Sequence, residues 1–230
     1  MHIKGKTALV TGANRGLGRT LTRVLLERGA ARVYGGTRAP DAVVEPGVVS
    51  VGLDVTDPEQ VAAAAAACPD VTLLVNNAGV LTDNSLLAAP SLDQARLEME
   101  VNYFGTLAMC RAFAPVLARN GGGAIVNVLS IASWLTNPAM GSYSASKAAA
   151  WAMTNAVRSE LHGQGTLVVA VHSGYIDTDM ARHVDGAKNA PESVAEQVAD
   201  AVEAREVEVL ADERTRLAKT ALSQPPVPAV

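Results

Sequence analysis

A chain of 230 residues with 49% hydrophobic and 18% charged side chains has enough apolar material for a large buried core and too little charge for disorder. A formal net charge of -4, with only two Trp, four Tyr and two Phe, offers neither a basic face for tracking phosphates nor a platform for stacking bases, which argues against a nucleic-acid partner. The first residues, Met1-His2-Ile3-Lys4-Gly5-Lys6, lack the apolar core of a signal peptide and no apolar run is long enough to span a bilayer, so the expectation is a cytoplasmic protein with no membrane partner.

Thr7-Ala8-Leu9-Val10 is an apolar run stopped at once by Thr11-Gly12, after which Gly16-Leu17-Gly18 opens a helical pattern carrying Leu21, Val24 and Leu25 to Gly29. A strand, a glycine-rich turn and a helix N-terminus make a pocket for a pyrophosphate. The backbone N–H groups and the helix dipole favour the anion, and the missing side chains allow close approach. The spacing is Gly12-x-x-x-Gly16-x-Gly18, with Asn14 and Arg15 inside the turn, not the G-x-G-x-x-G of most dinucleotide folds. Arg32-Val33-Tyr34-Gly35-Gly36 reads as the second strand, followed by Thr37-Arg38. An acidic residue here would bind the ribose hydroxyls of NAD, whereas an arginine accommodates the 2′-phosphate of NADP. No Asp or Glu stands at this strand end; Arg38 does, and Arg15 can approach the same phosphate, which favours NADP(H).

Residues 48–53 form a third strand ending at Asp54-Val55, where a carboxylate can accept from the adenine amino group while Val55 packs on the ring. Asp57, before Pro58-Glu59, reads as the cap of the next helix, whose alanine tract needs no function beyond helix propensity and close packing. Residues 71–75 are a fourth strand, and Asn76-Asn77-Ala78-Gly79 suits a backbone pressed against a cofactor. A long helical pattern over residues 92–119 contains Asn102. The next strand, residues 124–129, ends at Ser130, whose hydroxyl points into the crevice where open α/β sheets hold their ligands. Tyr143 and Lys147 are four apart on a helix over residues 142–161 and share a face. A fixed ammonium there favours the phenolate, pulls the phenol below its reference pKa of about 10 and suits it to proton transfer. A sixth strand, residues 167–172, leads into Ser173-Gly174-Tyr175-Ile176-Asp177-Thr178, with His172 as a structural strand-end residue, and residues 206–210 read as a last edge strand. Residues 1–223 form one domain, and the Pro-rich tail 224–230 is expected to be disordered or extended along a neighbouring subunit. Cys68 and Cys110 sit in apolar helical surroundings as free thiols, and neither the cysteines nor the four histidines show metal-ligand spacing, so no metal is expected.

Thr11-Gly12-x-x-x-Gly16-x-Gly18, Asn76-Asn77-Ala78-Gly79, Ser130 and Tyr143-x-x-x-Lys147, in this order and spacing, resemble the short-chain dehydrogenase/reductase family over about residues 6–222. The resemblance implies an α/β fold: Rossmann-like, doubly wound, a seven-stranded parallel sheet with helices on both faces. It implies reversible hydride transfer between NADP(H) and a carbonyl or secondary alcohol. Tyr143 would protonate the carbonyl oxygen, Ser130 would donate a hydrogen bond to it, and Lys147 would hold the nicotinamide ribose and keep Tyr143 acidic. Asn102 would hold a water in a proton relay. Carried onto this chain, the cofactor contacts fall on Gly12, Asn14, Arg15, Gly16, Leu17, Gly18, Arg38, Asp54, Val55, Asn77, Ala78, Gly79, Tyr143, Lys147, Gly174, Ile176 and Thr178. The family's Pro-Gly is Ser173-Gly174 here, a departure expected to loosen the backbone slightly. The family's dimer surfaces are the helices over residues 92–119 and 142–161, which implies a homodimer or homotetramer.

Expected walls of the substrate pocket are Leu81, Ile131, Trp134, Leu135, Met140, Tyr175, Met180 and His183, largely apolar as small-molecule sites usually are. With the short stretch 179–191 and no long lid, they suit a permissive reductase of hydrophobic or aromatic ketones. Three rival readings stand beside it. A dedicated 3-oxoacyl thioester reductase would want basic residues near the entrance, for which Arg182 and Lys188 are candidates. A catalytically silent NADP-sensing protein would have no need of the proton donor. A sugar-nucleotide epimerase would carry a sizeable C-terminal domain, and only about 50 residues follow Thr178.

Overall fold

The computed structural model describes residues 1–42, 45–83 and 85–224; the tail beyond Gln224 lies outside the described residues. Its elements are β1 (Thr7–Thr11), α1 (Gly16–Glu27), β2 (Arg32–Thr37), β3 (Val48–Gly52), α2 (Pro58–Ala67), β4 (Leu73–Asn76), α3 (Asp93–Met99), α4 (Thr106–Arg119), β5 (Gly123–Val128), α5 (Gly141–Leu161), β6 (Thr166–His172), α6 (Pro191–Ala204), β7 (Glu208–Leu210) and α7 (Glu213–Ala221). The seven strands form one parallel sheet in the order β3-β2-β1-β4-β5-β6-β7. The order reverses between β1 and β4, and a crevice opens at the carboxyl ends of strands on either side of such a switch point. That is where the glycine turn after β1 and Asn77 after β4 meet.

β1, β4 and β6 are buried along their whole length, and they read as near-continuous apolar runs because helices cover both faces of the sheet. On one face Leu21 and Leu25 of α1 pack with Val194, Val198 and Val202 of α6. On the other, Val61 of α2, Phe113 and Leu117 of α4 and Met153 of α5 pack over Leu74 and Ile125. Truncating a fully buried ring such as Phe113 costs about 3–5 kcal/mol. Both cysteines are buried free thiols, and burial pushes Cys68 up to about 11 and Cys110 up to about 12, so neither is a nucleophile near neutrality. Among the described residues no helix is long and apolar enough to cross a membrane, and no cluster of His, Cys, Asp or Glu could hold a metal ion.

Two departures from the sequence reading bear on the site. The long helix over residues 92–119 is three pieces, because a π-helical turn, Glu100–Gly105, separates α3 from α4. The turn carries Asn102 and brings Gly105 so close to Val55 that a Cβ there would lie 2.7 Å from Val55 Cγ2. Such turns commonly mark functional positions. The C-terminal stretch also contains two helices that the sequence reading passed over. α6 starts on Pro191 at its first turn, and α7 is capped by Asp212, whose Oδ1 accepts from the Thr215 N–H at 2.8 Å. Asp57 caps α2 as expected, accepting from Glu59 and Gln60.

Candidate active site

The glycine turn is built for an anion. Gly16 has φ +52, a left-handed conformation that a side chain would strain, and an added Cβ would stand 3.2 Å from the Thr178 methyl. A Cβ on Gly18 would lie 2.1 Å from Gly12 O and 2.5 Å from Asn77 Nδ2, so only hydrogen fits. Residue 15 at the N-cap of α1 makes no side-chain cap hydrogen bond, and the first turn holds no acidic residue. The first N–H groups of α1 therefore face the crevice with a positive dipole end and no carboxylate competing for them, which fits a dinucleotide's pyrophosphate. Asn77 and Thr11 lock the two strand ends together. Thr11 Oγ1 accepts from the N–H groups of Asn77 and Ala78, both at 3.0 Å, and Asn77 Nδ2 donates to Thr11 O at 2.9 Å. Leu17 is buried in the α1 core, whereas Asn14 is half-buried in the turn. Arg15, in the turn after β1, and Arg38, just past the end of β2, are exposed, and Arg15 lies 3.9 Å from Asp179.

Of the two residues expected on the adenine side, Asp54 keeps a free acceptor and Val55 departs from its expected place. Asp54 Oδ1 accepts from the N–H and hydroxyl of its own neighbour Thr56, at 2.9 and 2.7 Å, so only its second oxygen is uncommitted. Val55 is buried against Gly105 in the core, not held out as a ring platform.

The four residues expected to be catalytic converge at the carboxyl end of the sheet. Ser130 follows β5 and accepts from the Ala132 N–H at 3.0 Å. His172 lies beneath it: Nδ1 is 3.1 Å from Ser130 O, and burial pulls the imidazole down to about 4. A neutral ring with its proton on Nδ1 donates to that carbonyl and fixes the serine's backbone, a supporting role and not a catalytic one. Lys147 is 5% exposed, donates from Nζ to Val128 O at 2.9 Å, and burial pulls its ammonium down to about 8. Gly79 passes between Asn102 and Lys147, since a Cβ on it would be 3.1 Å from Asn102 Oδ1 and 3.6 Å from Lys147 Nζ. The Asn102 side chain is fully engaged: Oδ1 accepts from Val80 N–H, and Nδ2 donates to Val80 O and Ser146 Oγ, all at 2.9 Å. Its amide braces the segment after β4, leaving no free side-chain donor to hold a relay water.

The expected depression of the Tyr143 phenol is not found. Burial pushes it up to about 12, with the Ser130 hydroxyl pulling down and the charges of Glu98 and Tyr175 pushing up. The physical reason is that Lys147 Nζ stands 5.8 Å from the Tyr143 ring centroid and points at Val128. Tyr143 is thus a neutral phenol at ordinary pH, loaded with its proton, next to a hydroxyl donor.

The loop after β6 carries its own restraint in place of the missing proline. Asp212 Oδ2 accepts from Gly174 N–H and from Asn189 Nδ2, both at 2.7 Å, and Asn189 Nδ2 also reaches Ser173 Oγ at 2.9 Å. Ser173 therefore gains a side-chain tether, and the loosening expected from losing proline is offset. Ile176 pairs with Asn189 in an isolated bridge, and Thr178 is brought beside Gly16. Asp212 and Asn189 were invisible as site residues because they act from 15 or more residues downstream of the motif.

The pocket walls are partly as expected. Leu81, Ile131, Met140 and Tyr175 are half-buried, with the Tyr175 hydroxyl 3.7 Å from Met140 Sδ, and Leu135 and Met180 are 42% and 45% exposed. His183 Nε2 lies 3.3 Å from Asp83 Oδ2, joining the loops on the two sides of the cleft. Trp134 is a correction. Its indole stacks on His172 at 3.9 Å, meets Trp151 edge-on at 5.8 Å and has Lys219 Nζ 4.9 Å from its centroid, so it belongs to a cluster behind Ser130. Leu86 was missed: it lies over the start of α5, where a Cβ on Gly141 would come within 2.5 Å of it.

Comparison with known proteins places the geometry. The family described as short chain dehydrogenase matches residues 6–210. The 3-oxoacyl-acyl-carrier-protein reductase FabG of Vibrio cholerae is 32% identical over 193 residues, 79% of this chain and 78% of the relative. The short chain dehydrogenase tazN of Aspergillus terreus is 34% identical over 197 residues, but the match spans only 43% of that protein. A short chain dehydrogenase of Burkholderia cenocepacia, solved in complex with NADP, superposes with a TM-score of 0.94 at 46% identity, covering 97% of this chain and 95% of that one. A gluconate 5-dehydrogenase of the same organism, in complex with NADP and tartrate, superposes with a TM-score of 0.83 at 25% identity over 91% and 94% of the two chains.

Proposed function

Because the chain belongs to the short-chain dehydrogenase family, we propose that it is an NADP(H)-dependent oxidoreductase that reduces ketones and aldehydes to alcohols, reversibly, with Tyr143 as the proton donor. The observation that carries this reading is the convergence of Tyr143, Ser130 and the buried Lys147 at the carboxyl end of the sheet. When bound, NADPH supplies the hydride. The free N–H groups of α1 would hold its pyrophosphate, Arg15 and Arg38 its 2′-phosphate, and Gly174, Ile176 and Thr178 the nicotinamide end. Ser130 donates to the substrate oxygen as negative charge grows there, and preorganised donors of this kind are among the larger catalytic contributions. Tyr143 delivers its proton to the same oxygen. Lys147, held at Val128, lies next to the site, where it would hold the nicotinamide ribose. Asn102 keeps Val80, and with it the Leu81 wall, in place.

The half-buried apolar wall favours hydrophobic ketones. The relationship to FabG supports a 3-oxoacyl thioester as a second substrate class. Against it, the two basic residues near the entrance are paired, Arg182 with Asp179 and Lys188 with Asp177 at 3.8 Å, and so offer little to an acidic carrier protein. Self-association through α4 is part of this reading, since Phe104, Leu107 and Ala112 line an apolar groove with Val61 on its outer face. The test is NADPH consumption across ketones, aldehydes and a β-ketoacyl thioester, with Tyr143→Phe alongside. Turnover on several ketones that vanishes in Tyr143→Phe while NADPH still binds is the expected result. Turnover confined to the thioester would favour the second class, and a fully active Tyr143→Phe would overturn the acid assignment.

A further inference from the structure

One charged side chain in the interior has no part in the reaction as described. Glu98, on α3, is 0% exposed. Its Oε1 accepts from the backbone N–H and the hydroxyl of Thr82, both at 2.8 Å, and its Oε2 accepts from the Ser142 hydroxyl. It accepts three hydrogen bonds and donates none, the pattern of a carboxylate. All three partners are neutral, and burying a charge without a counterion costs several kcal/mol. The two residues it grips explain its presence: Thr82 follows the pocket wall Leu81, and Ser142 precedes Tyr143.

We propose that Glu98 is a positioning residue for the reduction: it ties the substrate-wall segment at Thr82 to Ser142, and so sets where Tyr143 stands relative to Leu81. The proposal rests on Tyr143 as the proton donor. It has an electrostatic consequence as well. The groups facing the Tyr143 phenol are Glu98 from α3, Ser130 from the loop after β5, Tyr175 from the loop after β6 and Lys147 one turn along α5. Of these Glu98 is the anion, and its charge adds to burial, the larger cause, in keeping the phenol protonated, the form a reductase needs.

Three variants separate position from charge. Glu98→Gln can keep all three bonds, its carbonyl accepting from Thr82 and its amide donating to Ser142 Oγ, but carries no charge. Ser142→Ala keeps the charge and cuts the tie. Glu98→Met removes both. In Glu98→Gln, the pH-dependent rise of alcohol-oxidation kcat/KM, which reports loss of the Tyr143 proton, moves to lower pH. The tyrosinate absorbance of the cofactor-free protein, with that of Tyr143→Phe subtracted, moves the same way. Ser142→Ala leaves that pH limb in place and lowers kcat on the ketone about tenfold, as loss of one buried charge-assisted bond implies, with the Kd for NADPH unchanged. Glu98→Met does both, and should it fail to fold, the other two variants carry the test. An unmoved limb in Glu98→Gln together with wild-type kcat in Ser142→Ala overturns the proposal. An active Tyr143→Phe, by contrast, would sink the underlying reading and is scored separately.

Discussion

Lys147 carries the clearest energetic signature in the molecule. Burial pulls its ammonium from 10.5 down to about 8, and its hydrogen-bond partner in the fold is the Val128 carbonyl. At ~1.36 kcal/mol per pH unit, that displacement is a folding penalty of roughly 3 kcal/mol when the lysine is charged. The sign follows from proton binding. Between pH 8 and 10.5 the unfolded chain holds this proton more tightly than the folded one, so stability rises with pH across that window. The penalty is complete below about pH 8. Tyr143 works the other way, since the folded state keeps its proton to about 12 while the unfolded chain releases it near 10, and stability falls above pH 10. Cys68 and Cys110, whose thiols the fold also keeps protonated, oppose the lysine from about pH 9, so the lysine's part is read in the stability of the wild type relative to Lys147→Met, which is expected to rise from pH 8 to 10. Lys147→Met removes the first limb. At pH 7 it gains the roughly 3 kcal/mol, less about 1–3 kcal/mol for leaving the Val128 carbonyl unpaired, so a net gain of up to about 2 kcal/mol accompanies loss of turnover. Urea denaturation of both proteins at pH 7, 8, 9 and 10 measures this. A wild-type-minus-variant difference that stays flat from pH 8 to 10, with Lys147→Met less stable at every pH, would show that the ammonium is solvated and that the buried-charge argument fails.

Two further substitutions probe the cofactor cradle. Gly18→Ala would put a Cβ 2.1 Å from Gly12 O, backbone that cannot yield without opening the turn, so NADPH binding followed by its fluorescence should be lost, with a stability decrease of at least about 1–3 kcal/mol. Normal binding in that variant would mean that the α1 N-terminus is not the pyrophosphate site. Arg38→Asp should lower the NADPH/NADH ratio of kcat/KM about tenfold or more, as loss of a charge-assisted contact to the 2′-phosphate implies, and an unchanged ratio would place that phosphate elsewhere.

Much of the site was legible in local sequence because its parts sit at strand ends, where a motif and its geometry coincide. The glycine turn, the Asn77 clip, Ser130 and the Tyr143/Lys147 pair are each set by a few neighbouring residues, and each lies at the carboxyl edge of a strand that period and composition had already marked. Pocket walls fared less well. Trp134 sits three residues from Ile131 on the same short loop, yet its ring turns backward because His172 and Lys219, from β6 and α7, offer it two surfaces. Nothing in the loop's own composition holds that information.

The protonation of Tyr143 shows where the boundary falls. Spacing alone put an ammonium on the same helix face as the phenol, which is correct, but spacing says nothing of where the ammonium points or how much water remains around the ring. The strands and their turns, the glycine turn and the residues proposed to react were legible in the sequence by itself, because they depend on short-range periodicity and on turn residues with few conformational options, whereas the order of strands and the crevice at the β1/β4 switch belong to the assembled sheet. The neutral state of Tyr143, the tether of Ser173 by Asp212 and Asn189, and the burial of Glu98 between Thr82 and Ser142 were decided only by tertiary structure. Each depends on desolvation and on partners brought together from distant segments, and both are properties of the packed chain, not of any stretch of it.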